Sequence, residues 1–112
     1  MYIKLAVTGI VVEQVRYNSI TFLMYPSSGA ISYSANIFDQ SNNLISTRSL
    51  AVTQISLNET EIKLRTTINQ LSSNQNYIIQ VFANPEKVGT SFNIFTFPAR
   101  IIPFFFFFYS VI

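Results

Sequence analysis

The amino-acid sequence predicts an all-β protein, a seven-stranded antiparallel β-sandwich. Apolar and polar residues alternate with a period of two through most of the chain, as expected of strands with one buried face. Turn-forming clusters rich in Ser, Asn, Pro and Gly separate these segments by about 8 to 12 residues, the spacing of an antiparallel sandwich. No segment has the period of an amphipathic helix, so a parallel sheet, which needs crossover helices, is excluded.

The first strand is expected in "LAVTGIVV", with a break near Gly9. This stretch follows Lys4 and imitates the basic and hydrophobic parts of a signal peptide, but it is short and has no clear small-residue cleavage site. The second strand, "SITFLMY", places three apolar side chains on one face and ends at Pro26. These side chains are Ile20, Phe22 and Met24.

The third strand lies in "AISYSANIF" and alternates strictly. Its apolar face carries Ile31, Tyr33, Ala35 and Ile37. Its wet face carries Ser32, Ser34 and Asn36. The polar cluster "DQSNN" at 39–43 predicts a turn, because Asp and Asn side chains bond their own backbone and tolerate left-handed conformations. Across this turn the third strand is expected to pair with one strand in "LISTRSLAV".

The most regular alternation of the chain is in "EIKLRTTI", which predicts the fifth strand. Its apolar set is Ile62, Leu64, Thr66 and Ile68. Its polar set is Glu61, Lys63, Arg65 and Thr67, expected in solvent. "NYIIQVFA" follows, and "SFNIFTF" is the last strand before Pro98.

One segment is more specific than a general sandwich pattern. In "TINQLSSNQNYIIQVFAN", Leu71 lies six residues before Tyr77, and Tyr77 opens a strand with apolar residues at every second position. This segment resembles the fibronectin type III domain, which reads Leu-x-Pro-x-Thr-x-Tyr before such a strand. The resemblance implies a tyrosine corner made by Leu71 and Tyr77, in which the ring enters the core and its hydroxyl bonds the backbone upstream.

The resemblance extends over about residues 3 to 99. "NSITFLMYP", "ISYSANIFD" and "GTSFNIFTFPA" are similar to the second, third and last strands of the family. Met24 stands where the family usually has Trp, and Ser73 and Gln75 replace the Pro and Thr of the corner, so a divergent member or another immunoglobulin-like sandwich is expected. The predicted domain covers residues 1–99, and residues 100–112 form an apolar tail outside it.

Composition excludes several classes of function. The chain has no Cys and no His, only 11% charged residues and a net charge of +2, with its basic residues scattered singly. It therefore lacks thiol chemistry, the commonest general base and the clustered basic surface that nucleic acid requires. Asp39 is expected to cap its turn, and Glu59 and Glu61 to be solvated opposite Lys63 and Arg65, rather than to form an active site or a Ca²⁺ or Mg²⁺ cage. We expect no enzyme activity, no cofactor and no small-molecule substrate.

Two further features are candidate sites. Asn58 with Thr60 forms an acceptor triplet for N-linked glycosylation, "NET", in a predicted loop. The wet faces carrying Ser32, Ser34 and Asn36, or Arg65 and Thr67, are candidate contact surfaces or simple solubilising alternation.

The end of the chain, "ARIIPFFFFFYSVI", differs abruptly from the rest. Its aromatic run is Phe104, Phe105, Phe106, Phe107, Phe108 and Tyr109. As a helix, the last dozen residues would span about 18 Å, short of the roughly 30 Å hydrocarbon core of a bilayer. Three interpretations stay open: the start of a membrane anchor, a docking segment, or a low-complexity end with no selected role.

From these features we expect a non-catalytic structural or adhesive binding module, part of a larger extracellular or cell-surface protein with a protein partner. The alternative is an immunoglobulin-like structural subunit of a virion or appendage that docks through the aromatic tail.

Overall fold

The computed structural model describes residues 7–56, 58, 60–85 and 89–98. Within these ranges every regular element is a strand. The strands are β1 (Val11–Val15), β2 (Ile20–Met24), β3 (Ser32–Asp39), β4 (Leu44–Leu50), β5 (Val52–Ser56), β6 (Ile62–Ile68), β7 (Asn76–Asn84) and β8 (Gly89–Phe95).

The strands form two four-stranded sheets, in the orders β1-β2-β6-β5 and β4-β3-β7-β8. Every neighbouring pair is antiparallel. The chain changes sheet three times, between β2 and β3, between β4 and β5, and between β6 and β7. The predicted all-β antiparallel sandwich is therefore confirmed.

Eight strands are present where about seven were predicted. The segment "LISTRSLAV", expected as one strand, divides at Ala51. β4 pairs with β3, whereas β5 pairs with β6 in the other sheet. The Ala51 carbonyl at this crossing accepts a hydrogen bond of 2.9 Å from Thr66 Oγ1. This side chain provides the partner that a backbone carbonyl outside both strands lacks. Leu50 and Val52 keep the same alternation through the crossing, so the sequence period does not reveal it.

The core lies between the two sheets and is built from the apolar faces of their strands. Its fully buried members include Ile20, Phe22, Met24, Ala35, Ile37, Ile79, Val81 and Ala83. The rings of Phe22 and Phe92 meet edge to face across the sandwich, with centroids 5.1 Å apart. Aromatic pairs favour this arrangement because the positive ring edge points at the negative ring face.

Two residues predicted on apolar faces lie outside this core. Ile31 precedes β3 and is 83% exposed, and Ile62 at the start of β6 is 41% exposed. Ile31 lies just before β3 and Ile62 is the first residue of β6, so the alternation continues in the sequence beyond the positions that the core covers.

Hydroxyl groups tie the connections to the strands. Leu71 and Tyr77 are buried, and the Tyr77 hydroxyl accepts a hydrogen bond of 2.8 Å from the Ser72 backbone amide. The buried Thr96 hydroxyl donates to the Ser72 carbonyl at 2.7 Å and accepts from the Gln75 amide at 3.0 Å. The side chains of Tyr77 and Thr96 thereby both bind the backbone of the β6–β7 connection.

A second tyrosine, Tyr33, has a similar arrangement that the sequence analysis did not identify. Its hydroxyl accepts a hydrogen bond of 2.8 Å from the Ser27 backbone amide in the β2–β3 connection. Each of these two crossings between the sheets therefore has a buried ring whose oxygen satisfies a connecting amide. No local signal distinguishes Tyr33 from an ordinary aromatic residue in a core strand.

The segment that leads into β1 runs beside β8 and joins the two sheets at this edge. Thr90 Oγ1 donates to the Val7 carbonyl at 2.7 Å, and the Phe97 amide donates to the Arg16 carbonyl at 3.2 Å. Both bonds run from the β8 side to the β1 side, so the edges of the two sheets are linked at either end.

Shortening a core side chain should destabilise the fold much more than the same change at the surface. We expect Ile79→Ala to destabilise the fold by about 2–5 kcal/mol, since Ile79 is fully buried and its loss leaves a cavity. Ile31→Ala is the matched control and should cost less than about 0.5 kcal/mol. Urea denaturation followed by fluorescence measures both, and equal effects would contradict the proposed core.

The Tyr77 hydroxyl should contribute measurably to stability. Tyr77→Phe leaves the ring in place but removes the acceptor of the Ser72 amide, so we expect a loss of about 1 kcal/mol or somewhat more. Tyr17→Phe, at a side chain that is 43% exposed, is the control. If both variants unfold at the same denaturant concentration as the parent chain, the Tyr77 bond has no net role.

Asp39 should make stability depend on pH in the acid range. The backbone amide of Asn43, its side chain, and the Ser41 amide donate to the Asp39 carboxylate and lower its pKa below the ordinary 3.8. Because the folded pKa lies below the unfolded one, this stabilisation is complete above about pH 3.8 and is lost as the pH falls through the folded pKa. We therefore expect Asp39→Asn to lose less stability than the parent chain on acidification below about pH 4. Urea titrations at several pH values measure the free energy of unfolding of both chains. If that free energy falls equally with pH in the parent chain and in Asp39→Asn, this role is refuted.

Candidate contact surface

The outer face of the β4-β3-β7-β8 sheet carries no charged side chain in the part of the chain that the structure describes. We call it the uncharged face. Its outward positions follow from the strand register, because they pair with one another across the four strands and alternate with the inward positions. They are Ser32, Ser34, Asn36, Phe38, Leu44, Thr47, Ser49, Asn76, Ile78, Gln80, Phe82, Asn84, Gly89, Ser91, Asn93 and Phe95.

The uncharged face has a polar centre. One cross-strand row reads Thr47, Asn36, Gln80 and Ser91 over the four strands. Thr47 Oγ1 donates to Asn36 Oδ1 at 2.8 Å. Gln80 lies flat against β8, where a side chain at Gly89 would come within 2.6 Å of Gln80 Nε2. Gly89 therefore makes room for the Gln80 amide on this surface.

Next to the polar centre, the uncharged face is largely apolar. The adjacent row reads Leu44, Phe38, Ile78 and Asn93. Leu44 is 56% exposed, and Phe95, one row further along β8, is 45% exposed. Exposed aromatic and aliphatic side chains of this size, beside uncharged hydrogen-bonding groups, are typical of contact surfaces.

The charged residues of these strands have the opposite orientation. Asp39 pairs with Tyr77 and Arg48 pairs with Ala35, so both stand at inward positions. Asp39 lies at the end of β3 and caps the turn, whereas Arg48 on the edge strand β4 reaches the Asn69 carbonyl at 2.7 Å. Their positions at an end and at an edge allow these charges to reach polar partners without crossing the core.

Charge is concentrated on the outer face of the other sheet. Arg65 binds Glu13 through two hydrogen bonds of 2.8 Å, and the bond from Arg65 lowers the pKa of Glu13 below its ordinary value. Both side chains are more than a third exposed, so this ion pair contributes little to stability. It connects the edge strand β1 to β6 across the intervening strand β2.

Lys63 was expected in solvent with the other polar residues of its strand, and this prediction is wrong. Only 8% of its surface is exposed, because its ammonium group lies 4.6 Å from the centroid of the Tyr25 ring. The Tyr25 hydroxyl in turn donates to Glu61 Oε2 at 2.9 Å, and Gly9 with a φ of 68° lies under the ring. An ammonium over an aromatic face is held by the ring quadrupole, which accounts for the position of Lys63.

Within the described ranges, Tyr25 contacts both Glu61 and Lys63, and Glu13 contacts Arg65. No cluster of three or more carboxylates that could hold a metal ion is found in these ranges. A shallow depression of about 230 Å³ beside the uncharged face contains one titratable side chain, Tyr77. Two open grooves of about 350 and 380 Å³ contain Arg48 and Arg16, respectively. In the same ranges no helix is long and apolar enough to cross a membrane.

The residues singled out in the sequence occupy separate regions. Ser32, Ser34 and Asn36 lie on the uncharged face, and Arg65 and Thr67 on the other sheet. Leu71 and Tyr77 lie at the β6–β7 crossing, and Asn58 is exposed between β5 and β6. Glu59 and the whole aromatic tail, Phe104 to Tyr109, fall outside the described residues.

Sequence reasoning missed the uncharged face as a unit. The wet face of β3 was identified by itself, but its neighbours belong to strands as distant in the chain as β8. A signal was present in the sequence: the alternate positions Ser91, Asn93 and Phe95 in β8 are also uncharged. Only the register joins these positions into one surface.

No family model and no curated protein matches this chain. Solved structures do match its fold. A β-sandwich protein from a computer-based redesign is 14% identical with a TM-score of 0.56, and the alignment covers 85% of this chain and 97% of that one. An FN3 domain of human collagen XX is 17% identical with a TM-score of 0.52, covering 80% of this chain and 91% of that one.

At such identities the likeness is one of fold. The two-sheet architecture and the likeness to the collagen XX domain lead to the same conclusion: the chain has a fibronectin type III-like β-sandwich fold.

Proposed function

We propose that this chain is a non-catalytic structural or adhesive binding module of a larger extracellular or cell-surface protein. Its protein partner binds the uncharged face of the β4-β3-β7-β8 sheet. The observation that carries the proposal is the absence of charge from all outward positions of four adjacent described strands.

Desolvation favours this face over the opposite one. The central part of a protein interface is depleted in charged residues and enriched in aromatic ones, because burying an unpaired charge is costly. On the β1-β2-β6-β5 sheet a partner would have to cover the Glu13–Arg65 ion pair. On the uncharged face it meets amides and hydroxyls that can exchange hydrogen bonds with it, beside the apolar surface of Leu44 and Phe95.

The extracellular setting is supported by the kind of fold. Fibronectin type III-like domains are commonly extracellular modules, and the similar collagen XX domain is one segment of a longer chain. Fold similarity does not identify a ligand, so the partner is defined here only by the surface it would meet.

Charge introduced on the uncharged face should weaken binding. We expect Asn93→Glu, on the exposed surface of edge strand β8, to weaken saturable binding of the labelled chain to intact cells or their deposited matrix by tenfold or more. Thr53→Glu is the matched control. Thr53 is exposed on edge strand β5 of the other sheet, where it pairs with Arg65 of the neighbouring strand β6. Both variants keep the aromatic tail, so nonspecific adhesion of the tail affects them equally.

Binding curves for the three chains give the measurement. An affinity lowered by Asn93→Glu and unchanged by Thr53→Glu supports the uncharged face. Equal affinities for all three chains would place the contact elsewhere, and the absence of any saturable binding would refute an adhesive role.

A further inference from the structure

The turn between β5 and β6 contains the single Asn-X-Ser/Thr triplet with X other than Pro in the 112 residues of the chain. Nine other asparagines are present, but none is followed two positions later by Ser or Thr. The triplet consists of Asn58, Glu59 and Thr60. The transfer of an N-linked glycan requires this spacing and an accessible asparagine amide.

The local geometry leaves the reactive end of the Asn58 amide available. Asn58 Oδ1 accepts hydrogen bonds from the Thr60 amide at 2.8 Å, from Thr60 Oγ1 at 3.0 Å and from the Glu61 amide at 2.9 Å. Asn58 Nδ2 donates no hydrogen bond to any described residue, and the side chain is exposed. The carbonyl side of the amide thus holds the turn, while its nitrogen has no hydrogen-bond partner among the residues that the structure describes.

The position of the turn is compatible with a large substituent. It connects two strands of the β1-β2-β6-β5 sheet, and Asn58 has no part in the core or in the tyrosine contacts at the crossings. The turn belongs to the sheet opposite the uncharged face, and none of the outward residues of that face lies in it. A glycan on Asn58 would therefore be attached outside the uncharged face.

We propose that Asn58 is the acceptor of an N-linked oligosaccharide. The donor is an oligosaccharide linked through a pyrophosphate to a lipid carrier. Asn58 Nδ2 bonds to C1 of the first sugar while the bond between C1 and the pyrophosphate oxygen breaks. The lipid pyrophosphate leaves with the electron pair of that bond and takes up the proton lost from Nδ2. In a cell this reaction requires entry into a secretory pathway, so it rests on the extracellular setting of the proposed function.

The experiment tests the acceptor separately from the binding role. The full chain, placed behind a cleavable signal peptide, is translated in a lysate containing microsomes and digested with peptide-N-glycosidase. We expect a slower-migrating form that the enzyme converts back. Asn58→Gln and Thr60→Ala should abolish it, whereas Thr60→Ser, which keeps the hydroxyl, should retain it. Asn76→Gln, at an exposed asparagine outside any triplet, should also retain it.

Two results would overturn the proposal. One is a parent chain that stays unmodified while a reference acceptor in the same microsomes is glycosylated, and the other is a slower form that persists in Asn58→Gln. Because Asn58 lies between two strands of the other sheet, Asn58→Gln should bind cells and matrix as the parent chain does. A failure of glycosylation is therefore distinguishable from a failure of the binding module.

Discussion

The alternation of side chains across eight paired strands is the constraint on which this structure depends. Each strand position faces either the core or the solvent, and a shift of one residue in any pairing would exchange the two sets. The large apolar side chains of β2, β3 and β7, with the Phe22–Phe92 contact between the sheets, fix the register. Once these residues face inward, the outward residues are determined as well. The uncharged face is thus a consequence of how the core is packed.

Connections between the sheets are stabilised by buried hydroxyl groups. Such crossings expose backbone amides that no strand partner satisfies, and an unsatisfied amide away from water destabilises a fold. Tyr77, Tyr33 and Thr96 provide the missing partners while their remaining atoms fill the core. A single side chain at each position both packs and accepts a hydrogen bond, so a domain of modest size is stabilised without disulfides.

The two outer faces of the sandwich differ in chemistry and suit different roles. One carries an ion pair, a lysine packed over an aromatic ring and the turn with Asn58. The other presents amides, hydroxyls and apolar side chains, whose burial leaves no charge unpaired. A module that binds through the second face could carry a glycan near the first without interference.

The sequence by itself determined the all-β class, the inward residues of β2, β3 and β7, and the polar turn after β3. These depend on alternation and on contacts between near neighbours, which can be read along the chain. The tertiary structure alone decided the division of "LISTRSLAV" at Ala51, the burial of Lys63 beside Tyr25, the pairing of Arg65 with Glu13, and the union of Asn36 with Thr47, Gln80 and Ser91 in one surface. Each of these features depends on which strands become neighbours. The packing of the two sheets against each other decides this, and the order of residues along the chain does not show it.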